Sequence, residues 1–196
     1  MKPRTKNGIK SMLLLLCLIA SLGVVCQGEE SAARKFMVTA GGNFFLSSSG
    51  DFRQIYGQAF FMPEIKITCL VYRNFFVWGS FSLIARDGVI EEVDEKVHIG
   101  QTLLGFGFGY VFKLSAILRL RGELGMTYIS FKEEALDDTQ KGSGLGWKIG
   151  ANLDYFLGNK IFLTLTTAYS QAGDEAQTGK IELGGFQAGA GIGFAF

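Results

Sequence analysis

The chain ends in Phe186-Gln187-Ala188-Gly189-Ala190-Gly191-Ile192-Gly193-Phe194-Ala195-Phe196, where apolar side chains alternate with small or polar ones. A repeat of two residues is that of a β-strand, whose successive side chains point to opposite faces of a sheet. This stretch therefore predicts a strand with one apolar face and one small or polar face.

The same alternation recurs in seven segments upstream. Their apolar faces run over Phe36–Phe44, Ile65–Val71, Phe75–Leu83, Leu104–Phe112, Leu118–Tyr128, Trp147–Tyr155 and Ile161–Tyr169. The third is the least regular, because Phe76 and Trp78 lie on the face opposite Phe75 and Val77. Together with the C-terminal stretch they predict eight strands and an all-β chain.

The connections between these segments alternate in length. Tight turns are predicted at Arg73-Asn74, Lys113–Ser115 and Gly158–Lys160, and longer polar loops at Ser47–Tyr56, Arg86–Lys96, Lys132–Ser143 and Gly173–Gly179. Short turns at one end and long loops at the other are typical of an antiparallel up-and-down transmembrane β-barrel. Phe52–Met62 fits loop or strand equally well, and Pro63, which lacks a backbone donor, is placed at a strand end.

Charged residues in mid-strand indicate which face meets lipid. Seven of them lie opposite the apolar face, and we expect them to form a lumen charge network: Glu64, Lys66, Arg119, Arg121, Glu123, Lys148 and Asp154. Aromatic residues towards the strand ends fit interfacial girdles: Tyr110, Phe112, Tyr128, Trp147, Tyr155 and Tyr169. The apolar face is therefore predicted to point outward, into lipid.

A membrane sheet must close, because each unpaired backbone group in hydrocarbon costs several kcal/mol. Strands of about 9–11 residues span a bilayer when tilted, and the alternating segments have that length. Eight strands leave an interior just wide enough for side chains to fill. We therefore expect a filled barrel and no open pore.

The N-terminus has the pattern of a secretory signal peptide. Lys2, Arg4, Lys6 and Lys10 precede an apolar run from Met12 to Val25, and small residues follow. The run is too short for a membrane-spanning helix, which needs roughly 20 residues. The expected division is a signal peptide over residues 1–28, with Ala33 as a second cleavage site, and a barrel domain over residues 34–196.

Composition excludes several other classes of protein. The 27 Gly and 48% hydrophobic residues occur with only 2 Pro, which argues against a disordered chain. With a net charge of +1, the chain lacks the excess of basic residues that is typical of a nucleic-acid-binding protein. No nucleic-acid partner, cofactor or bound metal is expected.

The signal peptide, the eight alternating segments and the terminal Phe196 together resemble the small eight-stranded outer-membrane β-barrel proteins of Gram-negative bacteria, such as OmpX and the OmpA barrel domain. The resemblance implies an outer-membrane location in the cell envelope, with lipid around the barrel. It also implies recognition of the last strand by the barrel-assembly machinery. The matching positions are Ala190, Ile192, Phe194 and Phe196.

Two other sequence features bear on a catalytic or nucleotide-binding function. His98 is the only histidine, and some barrels of this kind are lipid-modifying enzymes that use a His beside a Ser or an acid. The glycines of Gly105-Phe106-Gly107-Phe108-Gly109 alternate within a strand with no helix after them, so they do not form a phosphate loop.

The polar loops are predicted to be acidic. Twelve acids lie there against six basic residues: Asp51, Asp87, Glu91, Glu92, Asp94, Glu95, Glu133, Glu134, Asp137, Asp138, Asp174 and Glu175 against Arg53, Arg86, Lys96, Lys132, Lys141 and Lys180. Oxygen-rich clusters suit divalent cations, but a solvated acidic surface that meets a surface ligand is favoured. Cys69 falls on the apolar face and is expected to be a small lipid-facing hydrophobe.

The leading hypothesis is therefore a non-enzymatic outer-membrane protein with a structural or surface-interaction role. The first alternative is an outer-membrane lipid-modifying enzyme that uses His98, which then needs an acid and a hydroxyl at hydrogen-bond distance. The second alternative is a soluble secreted β-barrel that binds a small apolar ligand, which needs the aromatic face inward.

Overall fold

The computed structural model describes residues 35–50, 53, 59–90, 95–135, 138–176 and 179–196. Within them the chain forms eight strands that close into one antiparallel barrel. The strands are β1 (Phe36–Ser47), β2 (Phe60–Tyr72), β3 (Phe75–Ile90), β4 (Glu95–Lys113), β5 (Leu118–Ala135), β6 (Asp138–Phe156), β7 (Ile161–Ala176) and β8 (Gly179–Ala195). Each pairs with its neighbour in sequence, and β8 pairs with β1. The predicted eight-stranded barrel is confirmed.

The outer surface of the barrel is apolar. Large side chains on the outward faces are highly exposed, as for Phe61 at 65% and Leu165 at 60%, whereas charged residues such as Lys66 on the inward faces are buried. This orientation is the opposite of what a soluble ligand-binding barrel requires. No helix in the described part of the chain has the length and hydropathy to cross a membrane.

Two aromatic belts lie near the ends of the outward apolar surface. At the turn end, the ring of Tyr110 lies 5.0 Å from that of Phe75 and 4.8 Å from that of Phe112, measured between centroids. Towards the other end, the rings of Trp147 and Tyr169 are 5.5 Å apart. Trp147 and Tyr155 are eight residues apart on β6, roughly 26 Å along the strand. At a strand tilt of about 35–45° this distance spans most of the ~25 Å apolar band of such barrels.

The strands are longer than the alternating segments predicted, at 12 to 19 residues. Much of what was expected to be loop is paired strand: β5 runs to Ala135 and β6 begins at Asp138, so Gly142 and Ser143 lie within β6. Beyond the apolar band of the outer surface neither face of a strand must be apolar, so the period-two pattern fades while backbone pairing continues. The β3–β4, β5–β6 and β7–β8 connections are therefore hairpin extensions of the barrel.

Pro63 lies inside β2 and not at its end. It pairs with Gly42 of β1, whereas the pairing of β2 with β3 begins at Glu64. At this level β2 is paired on one side, so the missing N–H of proline does not interrupt a ladder. Within Phe52–Met62, Phe60–Met62 belong to β2, and most of the rest lies outside the described residues.

The barrel interior is layered. At the hairpin end, inward apolar side chains form a layer of Phe45, Phe60, Met62, Ile84, Ile99, Leu103, Ile129, Phe131 and Ala172. At the turn end, a second layer consists of Met37, Phe156, Phe162 and Ala195 with Phe76, Trp78 and Val111, bridged by Leu70. We call these the hairpin-side and turn-side layers. The mid-strand charges lie between them.

Candidate functional site

The buried charged side chains of the described residues lie together between the two apolar layers. The inward faces of β2, β5 and β6 supply six buried charged side chains, here called the lumen cluster: Glu64, Lys66, Arg121, Glu123, Lys148 and Asp154. Antiparallel pairing places β5 beside β6, whereas β2 lies on the other side of the closed barrel. The cluster therefore crosses the lumen.

Lys66 is the centre of the first group of contacts. Its Nζ donates to Glu123 Oε1 at 2.8 Å and to Oε2 at 3.1 Å, and it lies 3.5 Å from Glu64 Oε1. Lys148 Nζ reaches Glu64 Oε2 at 3.3 Å, and Asn152 Nδ2 donates to Glu123 Oε2 at 2.9 Å. Glu64 therefore contacts cations of β2 and β6, whereas Glu123 binds a cation of β2 and a side-chain amide of β6.

Arg121 forms the second group with Asp154. Its Nε and Nη2 donate to the two oxygens of Asp154 at 2.6 and 2.9 Å. Its Nη1 donates to Thr68 Oγ1 of β2 at 3.0 Å. A bidentate arginine–carboxylate pair is the strongest and most geometrically specific ion pair available to side chains.

The cluster is electrically balanced. Lys66, Arg121 and Lys148 match Glu64, Glu123 and Asp154 in number, and all six side chains are at most 7% exposed. Removing charges from water is costly unless they are paired and hydrogen-bonded. A neutral, mutually bonded set meets that condition without any ligand.

Aromatic rings cover the cluster on the turn side. Lys66 Nζ and Lys148 Nζ lie 5.6 and 5.7 Å from the ring centroid of Trp78, and Arg121 Cζ lies 6.0 Å from that of Phe76. Cations near an aromatic face are attracted by the ring quadrupole. Sequence reasoning identified the charges but not these inward aromatics, although the apolar residues on both faces of β3 were the signal for them.

Glycine makes the room that the Trp78 ring occupies. A Cβ added at Gly105 would lie 2.9 Å from an atom of this ring, and one added at Gly125 would lie 2.7 Å from another. The glycine-rich inward face leaves room for the long paired charges. It also accommodates bulky aromatic side chains.

Arg119 is the one predicted network residue outside these contacts. It lies on the inward face of β5 but nearer the turn end, and its Cζ is 4.5 Å from the ring centroid of Phe156. Its side chain is half-buried. The structure therefore brings six of the seven predicted residues together and places Arg119 at the turn-side layer.

His98 lies on the outward face of the β3–β4 hairpin. Its Nδ1 is 2.6 Å from Asp87 Oδ1, and the two side chains are 52% and 90% exposed. No hydroxyl group in the described chain hydrogen-bonds to His98. The acid that the enzyme hypothesis requires is present, but the hydroxyl is not among the described residues.

Several of the predicted loop acids are strand residues in the hairpin extensions. These are Asp87, Glu95, Glu133, Glu134, Asp138, Asp174 and Glu175. The others, Asp51, Glu91, Glu92, Asp94 and Asp137, lie outside the described residues. Across the described ranges, no three His, Cys, Asp or Glu side chains come together as a metal site.

Cys69 lies on the outward face of β2 by its position, yet it is only 3% exposed. It is disulfide-bonded. The expectation of a small lipid-facing hydrophobe is therefore wrong. The predicted signal peptide, residues 1–28, lies outside the described residues.

The four positions of the predicted assembly signal lie on the outward face of β8. Ala190, Ile192 and Phe194 are exposed along it, and Phe196 follows the strand at 63% exposure. Phe196 N donates to Phe36 O at 2.8 Å, and the two rings are 5.9 Å apart. The last residue therefore contacts β1 where the barrel closes.

Comparisons with known proteins agree with this architecture. Residues 16–194 match the family described as outer membrane protein beta-barrel domain. No curated protein sequence matches the chain.

Among solved structures, Neisserial surface protein A is similar with a TM-score of 0.64 and 11% identity, covering 85% of this chain and 100% of that one. OprG from Pseudomonas aeruginosa is similar with a TM-score of 0.58 and 15% identity, covering 84% of this chain and 96% of that one. Ail, the attachment invasion locus protein of Yersinia pestis, is similar with a TM-score of 0.52 and 17% identity. The match covers 81% of this chain and 96% of that one. At such low identities these likenesses show the fold.

Proposed function

The chain belongs to the outer membrane protein beta-barrel domain family, and we propose that it is a non-enzymatic surface protein whose lumen is closed by its own side chains. Family membership implies the outer membrane as its location. We further propose that the turns lie in the periplasm and the hairpin extensions outside the cell. Its role is then structural or in surface interaction, and not in transport.

The observation that carries this proposal is the layered interior. A solute crossing the barrel would have to displace the hairpin-side layer, the balanced lumen cluster and the turn-side layer in turn. Opening the cluster would leave buried charges without partners, at about 3–5 kcal/mol for each broken pair. An eight-stranded interior offers no spare width for a path around it.

The hairpin extensions support a role at the surface. β4 and β6 each have 19 residues, whereas about 9–11 suffice to span a bilayer. The surplus of eight or more residues corresponds to roughly 25 Å of paired strand. These extensions carry most of the twelve acids, so we propose a cationic partner. The name of Ail describes attachment and invasion, and we propose a surface-contact role for this chain by analogy.

A conductance measurement tests the closed lumen. The full-length protein is reconstituted in vesicles, and a gel run with and without boiling verifies that it is folded. We expect no conductance steps above the lipid baseline and no swelling of vesicles in small sugars. Regular single-channel steps from folded protein would overturn the closed lumen. A soluble periplasmic protein with no mobility change on boiling would overturn the membrane assignment itself.

The contact between His98 and Asp87 supports a second candidate, an enzyme that modifies outer-membrane lipid. Its test compares the lipids of cells that express wild type or His98→Asn by mass spectrometry. A lipid species that depends on the protein and disappears in the variant would favour the enzyme. Identical lipid profiles in cells with and without the protein would exclude this candidate.

A further inference from the structure

The turn end of the barrel is basic. No Asp or Glu occurs in the segments that form it, which are residues 35–38, 69–76, 110–120, 155–162 and 192–196. They contain five basic residues: Lys35, Arg73, Lys113, Arg119 and Lys160. Asp154, the carboxylate in register with Arg119, is bonded to Arg121 inside the lumen. The hairpin end carries an excess of acids, so the barrel has opposite charge at its two ends.

Two of these cations lie at the level of the turn-end aromatic belt. Lys160 Nζ is 5.9 Å from the ring centroid of Phe194, and Arg73 Cζ is 5.2 Å from that of Tyr72. Both rings belong to the outward, apolar surface. Long basic side chains beside interfacial aromatics place their charge at the depth of lipid headgroups.

A groove opens beside Lys160 on the outer surface. It has a volume of about 390 Å³ and is lined by Leu157, Gly158, Asn159, Lys160, Ile161 and Phe194. Leu157 and Ile161 are 58% and 45% exposed. The groove therefore combines apolar walls that continue the lipid-facing surface with one ammonium group at its rim.

We propose that the turn end selects anionic phospholipids from the leaflet it faces, and that the Lys160 groove holds one such lipid. The first carbons of its acyl chains would pack on Leu157, Ile161 and Phe194, and its phosphate would meet the Lys160 ammonium. A zwitterionic lipid offers the same chains, but its cationic headgroup opposes the other basic residues of the rim. This inference rests on the proposed membrane insertion.

Spin-label electron paramagnetic resonance measures the selection directly. The full-length protein is reconstituted in phosphatidylcholine vesicles with trace spin-labelled phosphatidylglycerol or phosphatidylcholine. We expect the motionally restricted fraction to be larger for phosphatidylglycerol, and high salt to weaken this preference. Lys160→Gln should lower the preference by up to about fivefold, the scale of one basic side chain at an anionic surface.

Lys141→Gln is the matched control, because it makes the same charge change at the hairpin end. It should leave the preference unchanged. A restricted lipid population without headgroup preference, or equal losses in Lys160→Gln and Lys141→Gln, would overturn the proposed site. Absence of any restricted lipid would instead overturn membrane insertion, so the two failures are distinguishable.

Discussion

The Arg121 guanidinium holds both carboxylate oxygens of Asp154, at 2.6 and 2.9 Å, and each side chain is at most 1% exposed. The pair runs diagonally across neighbouring strands, since Arg121 is in register with Asn152 and Asp154 is in register with Arg119. Thr68 Oγ1, on the opposite side of the lumen, accepts a further hydrogen bond from the guanidinium. The arginine therefore links three strands.

Removing one member of this pair should destabilise the barrel more than removing both. Arg121→Ala leaves Asp154 buried without its cation, and we expect a loss of about 3–5 kcal/mol. The double variant Arg121→Leu/Asp154→Leu leaves no unpaired charge and should be closer to wild type. Unfolding by denaturant in detergent micelles, followed by the gel-mobility shift, measures both. Equal stability of Arg121→Ala and wild type would contradict this role.

Gly105→Ala should be destabilising, because its Cβ would meet the Trp78 ring at 2.9 Å and Ser80 Oγ at 2.7 Å. Overpacking of this kind costs about 1–3 kcal/mol. Trp78 fluorescence should change as the ring moves. Gly100→Ala on the same strand is the control, because its Cβ meets nothing within 4 Å. Indistinguishable melting of the two variants would show that the ring has free space.

Phe196→Ala should lower assembly in cells more than stability in the test tube. The backbone bond from residue 196 to Phe36 O survives the substitution, and the lost ring is 63% exposed. Recognition by the assembly machinery would instead lose its aromatic end group. Outer-membrane levels and the melting of refolded protein are compared in parallel. Normal levels in cells would remove Phe196 from the assembly signal.

Processing of the leader is predicted to leave one cysteine. The chain contains Cys17, Cys26 and Cys69, and cleavage after Gly28 or Ala33 retains only Cys69. Protein purified from outer membranes should therefore show one reactive thiol after denaturation, and its first residue should be Glu29 or Arg34. A denatured protein with no reactive thiol and an intact N-terminus would show that the leader, and the disulfide of Cys69, are kept.

His98→Asn should leave the melting temperature unchanged. The imidazole contacts Asp87, but both side chains are largely exposed, and exposed ion pairs contribute little to stability. Thermal melts of the variant and wild type at neutral pH check this. A clear fall in melting temperature would mean that the hairpin end depends on this contact.

The membrane-spanning part of the fold was predictable from the sequence because lipid imposes a strict rule. Outward side chains there are predominantly apolar, so residues such as Leu163 and Leu165 repeat at a spacing of two. Beyond the lipid-facing band this rule ends, and Gly142 and Ser143, which the sequence predicts as loop, are paired strand. Backbone pairing in water leaves no hydrophobic period to detect.

The charges of the candidate site were predictable, but their partners were not. Period two places Lys66 and Glu123 on inward faces, yet their contact depends on closure of the barrel across β2 and β5. Arg119 has the same inward position as Arg121, but it lies nearer the turn end, beside Phe156. Depth along the barrel is not encoded in an alternation of faces.

The ion pairs of Glu64 with Lys148 and of Lys66 with Glu123 also have a mechanical consequence. In a ring of eight strands, β2 and β6 stand half a circumference apart. A thin-walled tube under lateral pressure yields most easily by flattening into an ellipse. Contacts that span the diameter resist this flattening. The ion pairs therefore hold the cross-section circular while the surrounding bilayer presses on the wall.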